Sequence, residues 1–204
     1  MSPGHRGGRT GETTDEDHLT TGSATMGKIK VHEFMTVDGV VDAPSWTMAY
    51  PWTEPMVAAI GSITAGCSDV LLGRTTYEMF APAWSTRTVE DDPGAPFFND
   101  SPKHVVTSRP DGLDWGPATA VGYSASALQQ LKDDADGDVY VSGSVQLVRA
   151  MLADRLVDEL HLITYPLALG EGLRLFADGS RVELSLLSAT PFENGVVHLV
   201  YGPA

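Results

Sequence analysis

The chain has one cysteine in 204 residues, Cys67, so no internal disulfide can form and a reducing cytosol is the expected compartment. Cys67 falls in an apolar helical pattern, which points to a buried structural thiol rather than a nucleophile. Cations are also scarce: 13 Lys and Arg face 27 Asp and Glu, a formal net charge of −14. That balance excludes nucleic acid and an anionic membrane surface as partners. It leaves room for a small phosphorylated ligand, which needs only two or three local cations. No apolar run reaches the roughly 18 residues of a membrane span, and the first residues lack the apolar segment of a secretory signal. Metal motifs are missing too. There is no H-E-x-x-H, and His104, His161 and His198 fall in expected strands at no ligand spacing, so no metal is expected.

What is present starts late. Residues 1–25 are Gly, Ser, Thr and charge, including His5 and His18, and read as a disordered extension. The folded domain is expected over 26–204, and the 42% apolar content of the whole chain suffices for a real core. A strand is expected over 28–37, with Ile29, Val31 and Glu33 alternating against Lys30 and His32. Asp38-Gly39 turns the chain, and 44–55 reads as a loop carrying Trp46, Tyr50 and Trp52. The spacing of Met56, Ile60, Ile63 and Cys67 predicts a helix. A strand over 69–72, a helix from Thr76, a long loop over 84–101 and a strand over 103–108 follow. After these come a short strand at 119–121, a Ser124-capped helix to about Lys132, and a buried strand at 138–142. A helix then opens at Gly143-Ser144, a strand spans 157–164, and two strands, 182–189 and 196–201, close the chain. Strands alternating with helices before a terminal hairpin imply an α/β domain whose sheet is mostly parallel with an antiparallel C-terminal edge.

Two glycine turns carry the chemistry. In Leu71-Leu72-Gly73-Arg74-Thr75-Thr76-Tyr77-Glu78, an apolar strand ends in a glycine and an arginine, and Thr75 and Glu78 have capping-box spacing. Helix N–H groups plus a guanidinium make an anion site there; a capped turn with a surface arginine is the plainer reading. Gly143 ends a second strand in the same way, and ligands of such sheets bind beyond the carboxyl ends of the strands. Trp46, Trp52 and Trp84 line either a cleft or the core, with Trp46 and Trp52 the better cleft candidates.

Val37-Asp38-Gly39-Val40, the octapeptide and Val141-Ser142-Gly143-Ser144 together resemble the dihydrofolate reductase superfamily, and Leu156-Val157-Asp158-Glu159-Leu160 leading to Gly170-Glu171-Gly172 strengthens the match to one branch of it. The match is closer to the riboflavin-biosynthesis reductase, the RibD C-terminal domain, and its stand-alone relatives. The resemblance implies the three-layer dihydrofolate-reductase-like fold with helices on both faces, NADPH as cofactor, and a homodimer paired through C-terminal strands. It implies that Gly73, Arg74 and Thr75 hold phosphates, with Arg74 near the 2′-phosphate. Thr107, Ser108 and Arg109 would lie beside the adenosine, and Gly143, Ser144 and Val145 over the pyrophosphate and nicotinamide. It also implies a cis peptide, matched to Ser142-Gly143.

One departure matters. The acidic residue that holds a pterin in classical members is replaced by Val57, which cannot hydrogen-bond it, so dihydrofolate reduction is not the expected activity. Trp46, Trp52 and Val57 are the expected substrate wall, and Glu54, Asp38 or a bound water the proton source. No zinc-deaminase motif is present. Arg and Lys are absent between residues 31 and 73, which disfavours a phosphorylated substrate. The expected function is NADPH-dependent reduction of a small conjugated imine or carbonyl heterocycle, of pterin or pyrimidine type. The alternative is a non-catalytic nucleotide- or ligand-binding protein on the same fold.

Overall fold

The computed structural model describes Met1 and residues 27–204, so the expected extension, with His5 and His18, lies outside the described residues. Eight strands form one sheet: β1 (Ile29–Thr36), β2 (Cys67–Gly73), β3 (Lys103–Val106), β4 (Ala118–Val121), β5 (Asp138–Val141), β6 (Glu159–Tyr165), β7 (Leu184–Pro191) and β8 (Val197–Pro203). Their order is β4-β3-β2-β5-β1-β6-β8-β7. All pairs from β4 to β6 are parallel, and the β6–β8 and β8–β7 pairs are antiparallel. The strand expected over 157–164 is thus an inner strand, β6, and the free apolar edge is β7.

Helices α1 (Glu54–Thr64), α2 (Arg74–Trp84), α3 (Ala95–Asp100), α4 (Ala125–Asp134) and α5 (Val145–Ala153) cover both faces. On one face Leu128 of α4 and Leu147, Val148, Met151 and Leu152 of α5 pack on Ile29, Val31, Val139, Val141, Leu160 and Leu162. On the other, Ile63, Tyr77 and Phe98 meet Val70, Leu72 and Val105, and Met56 meets Ile163, Tyr165 and Phe192. Alternation along each strand sends neighbouring residues to opposite cores. The expected α/β three-layer fold is the observed one.

Several local expectations differ. Cys67 opens β2 instead of ending a helix: α1 stops at Thr64, and Gly66 at φ 80° turns the chain. Its thiol donates to the Ile63 carbonyl at 3.3 Å, and burial pushes the thiol up to about 11. Residues 84–101 contain α3, and 44–55 contain a 3-10 segment, Pro44–Ala49. The second helix begins at Arg74 with Gly73 as N-cap, and no side chain caps it. The Thr75–Glu78 capping box does not form because Thr75 lies inside the helix, not at its N-cap; Glu78 pairs instead with Arg74 Nε at 2.7 Å. The cis peptide lies at Gly143-Ser144, one bond later than Ser142-Gly143.

Candidate active site at the carboxyl ends of the strands

The turns after β2, β3 and β5 lie side by side because those strands are neighbours. Gly73 lies so close to Ser144 that an added Cβ would collide with its Oγ, and a Cβ on Gly143 would sit 2.8 Å from Thr76 Oγ1. Gly143 also holds φ 73°, a left-handed conformation that favours glycine. The two turns therefore pack through glycine, and α2 and α5 start from one ledge. Neither helix has a side-chain cap, whereas α4, further along the sheet, is capped by Ser124 Oγ accepting from Ala127 N at 3.1 Å. First-turn N–H groups at such an uncapped start can meet an anion.

Arg74 is committed within the protein. Besides Glu78, its Nη1 donates to the Arg109 carbonyl at 3.1 Å and the Asp111 carbonyl at 2.7 Å, which fastens the turn after β3 to α2. Thr107 Oγ1 accepts from Arg109 N at 3.0 Å in that turn. Arg109 itself is exposed and has no ion pair among the described residues. Ser108 and Thr75 are exposed, Thr107, Ser144 and Val145 half-buried, so these residues rim the same ledge.

The ledge continues to β1 and β6. Pairing of β1 with β5 stops at Val31↔Val141, while pairing with β6 runs on to Thr36↔Tyr165. Beyond Val31 the sheet splits between β1 and the 142–144 turn. Glu33 stands on the split side by side with Gly143, only 8% exposed. Burial pushes its carboxyl up to about 8, and the Gly143 backbone N–H partly offsets that shift. Its Oε1 has no partner among the described residues. Strand alternation placed Glu33 on this face, but nothing local in the sequence marked it as a site residue.

An aromatic wall stands on the opposite face. Trp46 and Tyr50 each meet Tyr165 edge-on at 5.2 Å, and Trp52 meets Phe34 at 5.9 Å. Trp46 is half-buried with Nε1 unpartnered, whereas Trp52 and Val57 are 49% and 47% exposed. Trp84 belongs to the core, stacked on Phe98 at 4.2 Å. Glu54 is exposed in the first turn of α1. Asp38 is a clamp: it accepts from the Thr36 hydroxyl at 2.5 Å, Leu169 N at 3.2 Å and Gly170 N at 2.8 Å, bonds that hold its carboxyl down at about 2. An acid held ionised and saturated with donors is a poor proton source.

A sequence model of the RibD C-terminal domain matches residues 27–198. The chain belongs to the RibD C-terminal domain family. Its curated relatives include two uncharacterized Bacillus subtilis proteins. YyaP is 35% identical over 75 residues, 36% of this chain and 40% of the relative. YwjB is 26% identical over 111 residues, 52% of this chain and 57% of the relative. The chain thus spans about half the length of these relatives or less. Among solved structures, a putative riboflavin biosynthesis protein from Shewanella has TM-score 0.66 at 17% identity, covering 87% of this chain and 99% of that one. A Thermotoga maritima deaminase/reductase has TM-score 0.62 at 17% identity, covering 88% of this chain and 57% of that one. Enterococcus faecalis dihydrofolate reductase complexed with NADP(H) has TM-score 0.56 at 16% identity, covering 87% and 96%. At these identities the likeness establishes the shared fold.

The four described histidines are bonded within the protein. His161 Nδ1 and His198 Nε2 are 3.1 Å apart, His32 Nδ1 bonds the Tyr140 hydroxyl at 2.8 Å, and His104 meets Asp69 at 2.7 Å. Burial pulls His32 down to about 3 and His198 to about 4. No cluster of metal-ligating side chains occurs among the described residues, and no described helix is long and apolar enough to cross a membrane.

Proposed function

We propose that this protein is an NADPH-dependent reductase that transfers hydride to a small, flat, conjugated imine or carbonyl compound lacking a phosphate. The observation that carries the reading is the ledge where uncapped α2 and α5 meet through Gly73 and Ser144 beside an aromatic wall. The chemistry of the ledge fits the cofactor: helix N-termini suit a pyrophosphate, and the exposed Arg109 suits the 2′-phosphate. Arg74 supports that guanidinium indirectly by fixing the turn that bears it. When bound, NADPH would supply the hydride.

The chain's own residues would orient and shield. Trp52, Phe34 and Val57 offer a partly exposed apolar surface against which a planar acceptor can lie. Holding that acceptor in line with the cofactor is the main contribution expected of the protein. The wall favours a neutral ring: no Arg or Lys lies between Val31 and Gly73, and Lys30 at its border is paired with Asp138 at 2.7 Å. Val57 offers no hydrogen bond to a pterin. Protonation falls to Glu54 or a bound water, since Asp38 is held ionised.

The test is a titration with NADPH and NADH followed by a screen of pterin, pyrimidine and quinone-like acceptors for NADPH oxidation. Preferential NADPH binding with turnover supports the proposal. Tight NADPH binding with no turnover on any acceptor would instead favour a ligand-binding protein, the reading that Val57 supports. Size-exclusion chromatography with light scattering tests the homodimer, which the exposed Leu186 and Leu187 on β7 favour.

A further inference from the structure

Glu33 is the buried acid that the reading above leaves without a task. It is two residues beyond the last β1–β5 pair, so continuing that register would set it opposite Gly143. Its carboxyl lies at the seam where the sheet opens, on the face shared with Val31, Leu162 and Thr164 and away from the aromatic wall. Two buried side-chain oxygens border this face without a partner among the described residues, Glu33 Oε1 and Thr164 Oγ1. A buried carboxyl with an idle oxygen costs stability, so its retention at a ligand ledge calls for a function. Placement on the α5 face, beside the Gly143 turn, argues for a contact with the cofactor and against delivery of a proton to an acceptor on the wall.

We propose that Glu33 is the anchor for the nicotinamide carboxamide, with Oε1–H donating a hydrogen bond to the amide oxygen of a ring seated between β1 and the 142–144 turn. This inference rests on the NADPH reading of the same ledge. Burial keeps the carboxyl protonated at neutral pH, and only the protonated form has a donor to offer. An ionised glutamate would instead repel the amide oxygen.

The experiment compares the affinity of the full chain for NADPH with that for 2′,5′-ADP, which lacks the nicotinamide, in wild type, Glu33→Leu and Glu33→Gln. Leucine removes the donor, and glutamine keeps one in nearly the same volume. The expected result is a loss of about 10-fold in NADPH affinity for Glu33→Leu, since one buried hydrogen bond is worth about that factor. Its 2′,5′-ADP affinity stays at the wild-type value, and Glu33→Gln binds NADPH within about 3-fold of wild type. Equal loss on both ligands, or no loss on either, would overturn the assignment. Should Glu33→Leu fail to fold, Glu33→Ala takes its place with the same expectations. In wild type NADPH must bind more tightly than 2′,5′-ADP, and equal affinities contradict the anchor while sparing the ledge. If wild type binds neither ligand, the NADPH reading itself is wrong and the anchor falls with it.

Discussion

The two halves of the ledge are built differently. Around the turns after β2, β3 and β5, polar side chains are used inside the protein: Arg74 holds Glu78 and two carbonyls, and Thr107 closes its own turn. Around β1, β6 and residues 46–53 the opposite holds. All six buried side-chain atoms without a protein partner among the described residues lie there: His32 Nε2, Glu33 Oε1, Trp46 Nε1, Thr53 Oγ1, Thr164 Oγ1 and Tyr165 OH. One half is a backbone cradle fixed by glycines. The other carries side chains with unspent hydrogen-bonding capacity on both faces of the sheet, which is where a ligand's polar groups gain most.

The largest break in this comparison is Gly143→Val. It puts a β-branched side chain into a left-handed position and against Thr76 Oγ1, 2.8 Å from the new Cβ. Strain and overpacking together should destabilise the fold by about 3 kcal/mol, read as a lower denaturant midpoint, and NADPH binding should be lost. If binding survives at full affinity, the cradle is not the cofactor's.

The second effect is on pH-dependent stability. Glu33 keeps its proton in the folded chain up to about 8, while an unfolded carboxyl releases it near 4.5. The folded state therefore binds the extra proton between those values, and stability falls as pH rises through that window. His32 acts in the opposite direction. Held neutral down to about 3 against an ordinary 6.5, it lowers stability as pH falls from 6.5 toward 3. Glu33→Gln should remove the loss on the alkaline side, raising stability at pH 9 by a few kcal/mol with little change at pH 4. Thermal melts across pH check this, and an unchanged alkaline slope in Glu33→Gln would contradict the buried-acid assignment.

Trp52→Ala and Trp46→Ala sharpen the wall. Trp46 packs on Tyr165, so its loss should cost about 3 kcal/mol of stability, whereas the half-exposed Trp52 should cost under about 1 kcal/mol. Trp52→Ala should instead raise KM for the best acceptor by about 10-fold. Arg109→Ala should give a loss of about 10-fold in NADPH affinity that shrinks at high salt, with NADH unchanged.

How much could be read without coordinates follows the same division. The cradle was legible at Gly73 and Gly143 because glycine and strand-end patterns are local signals. The α/β order and the parallel-to-antiparallel switch were legible from periodicity. Side-chain partnerships were not. Thr75 and Glu78 have capping spacing, yet the helix already begins at Arg74, which pairs with Glu78. Asp38 reads as a candidate acid until Leu169 and Gly170, about 130 residues away, saturate it. Glu33 shows its face through alternation, but its depth depends on β5 and β6, which no local window contains. Cys67 missed its helix by one glycine.

The central claim is that the ledge at Gly73, Arg109 and Gly143 takes a nicotinamide dinucleotide bearing a 2′-phosphate. Equilibrium titration of the full chain, following nicotinamide fluorescence with NADPH and then NADH, tests it most directly. The account predicts saturable binding with NADPH preferred by about 10-fold or more, one charge-assisted phosphate contact being worth that much. Absence of binding, or equal affinity for the two, would contradict it.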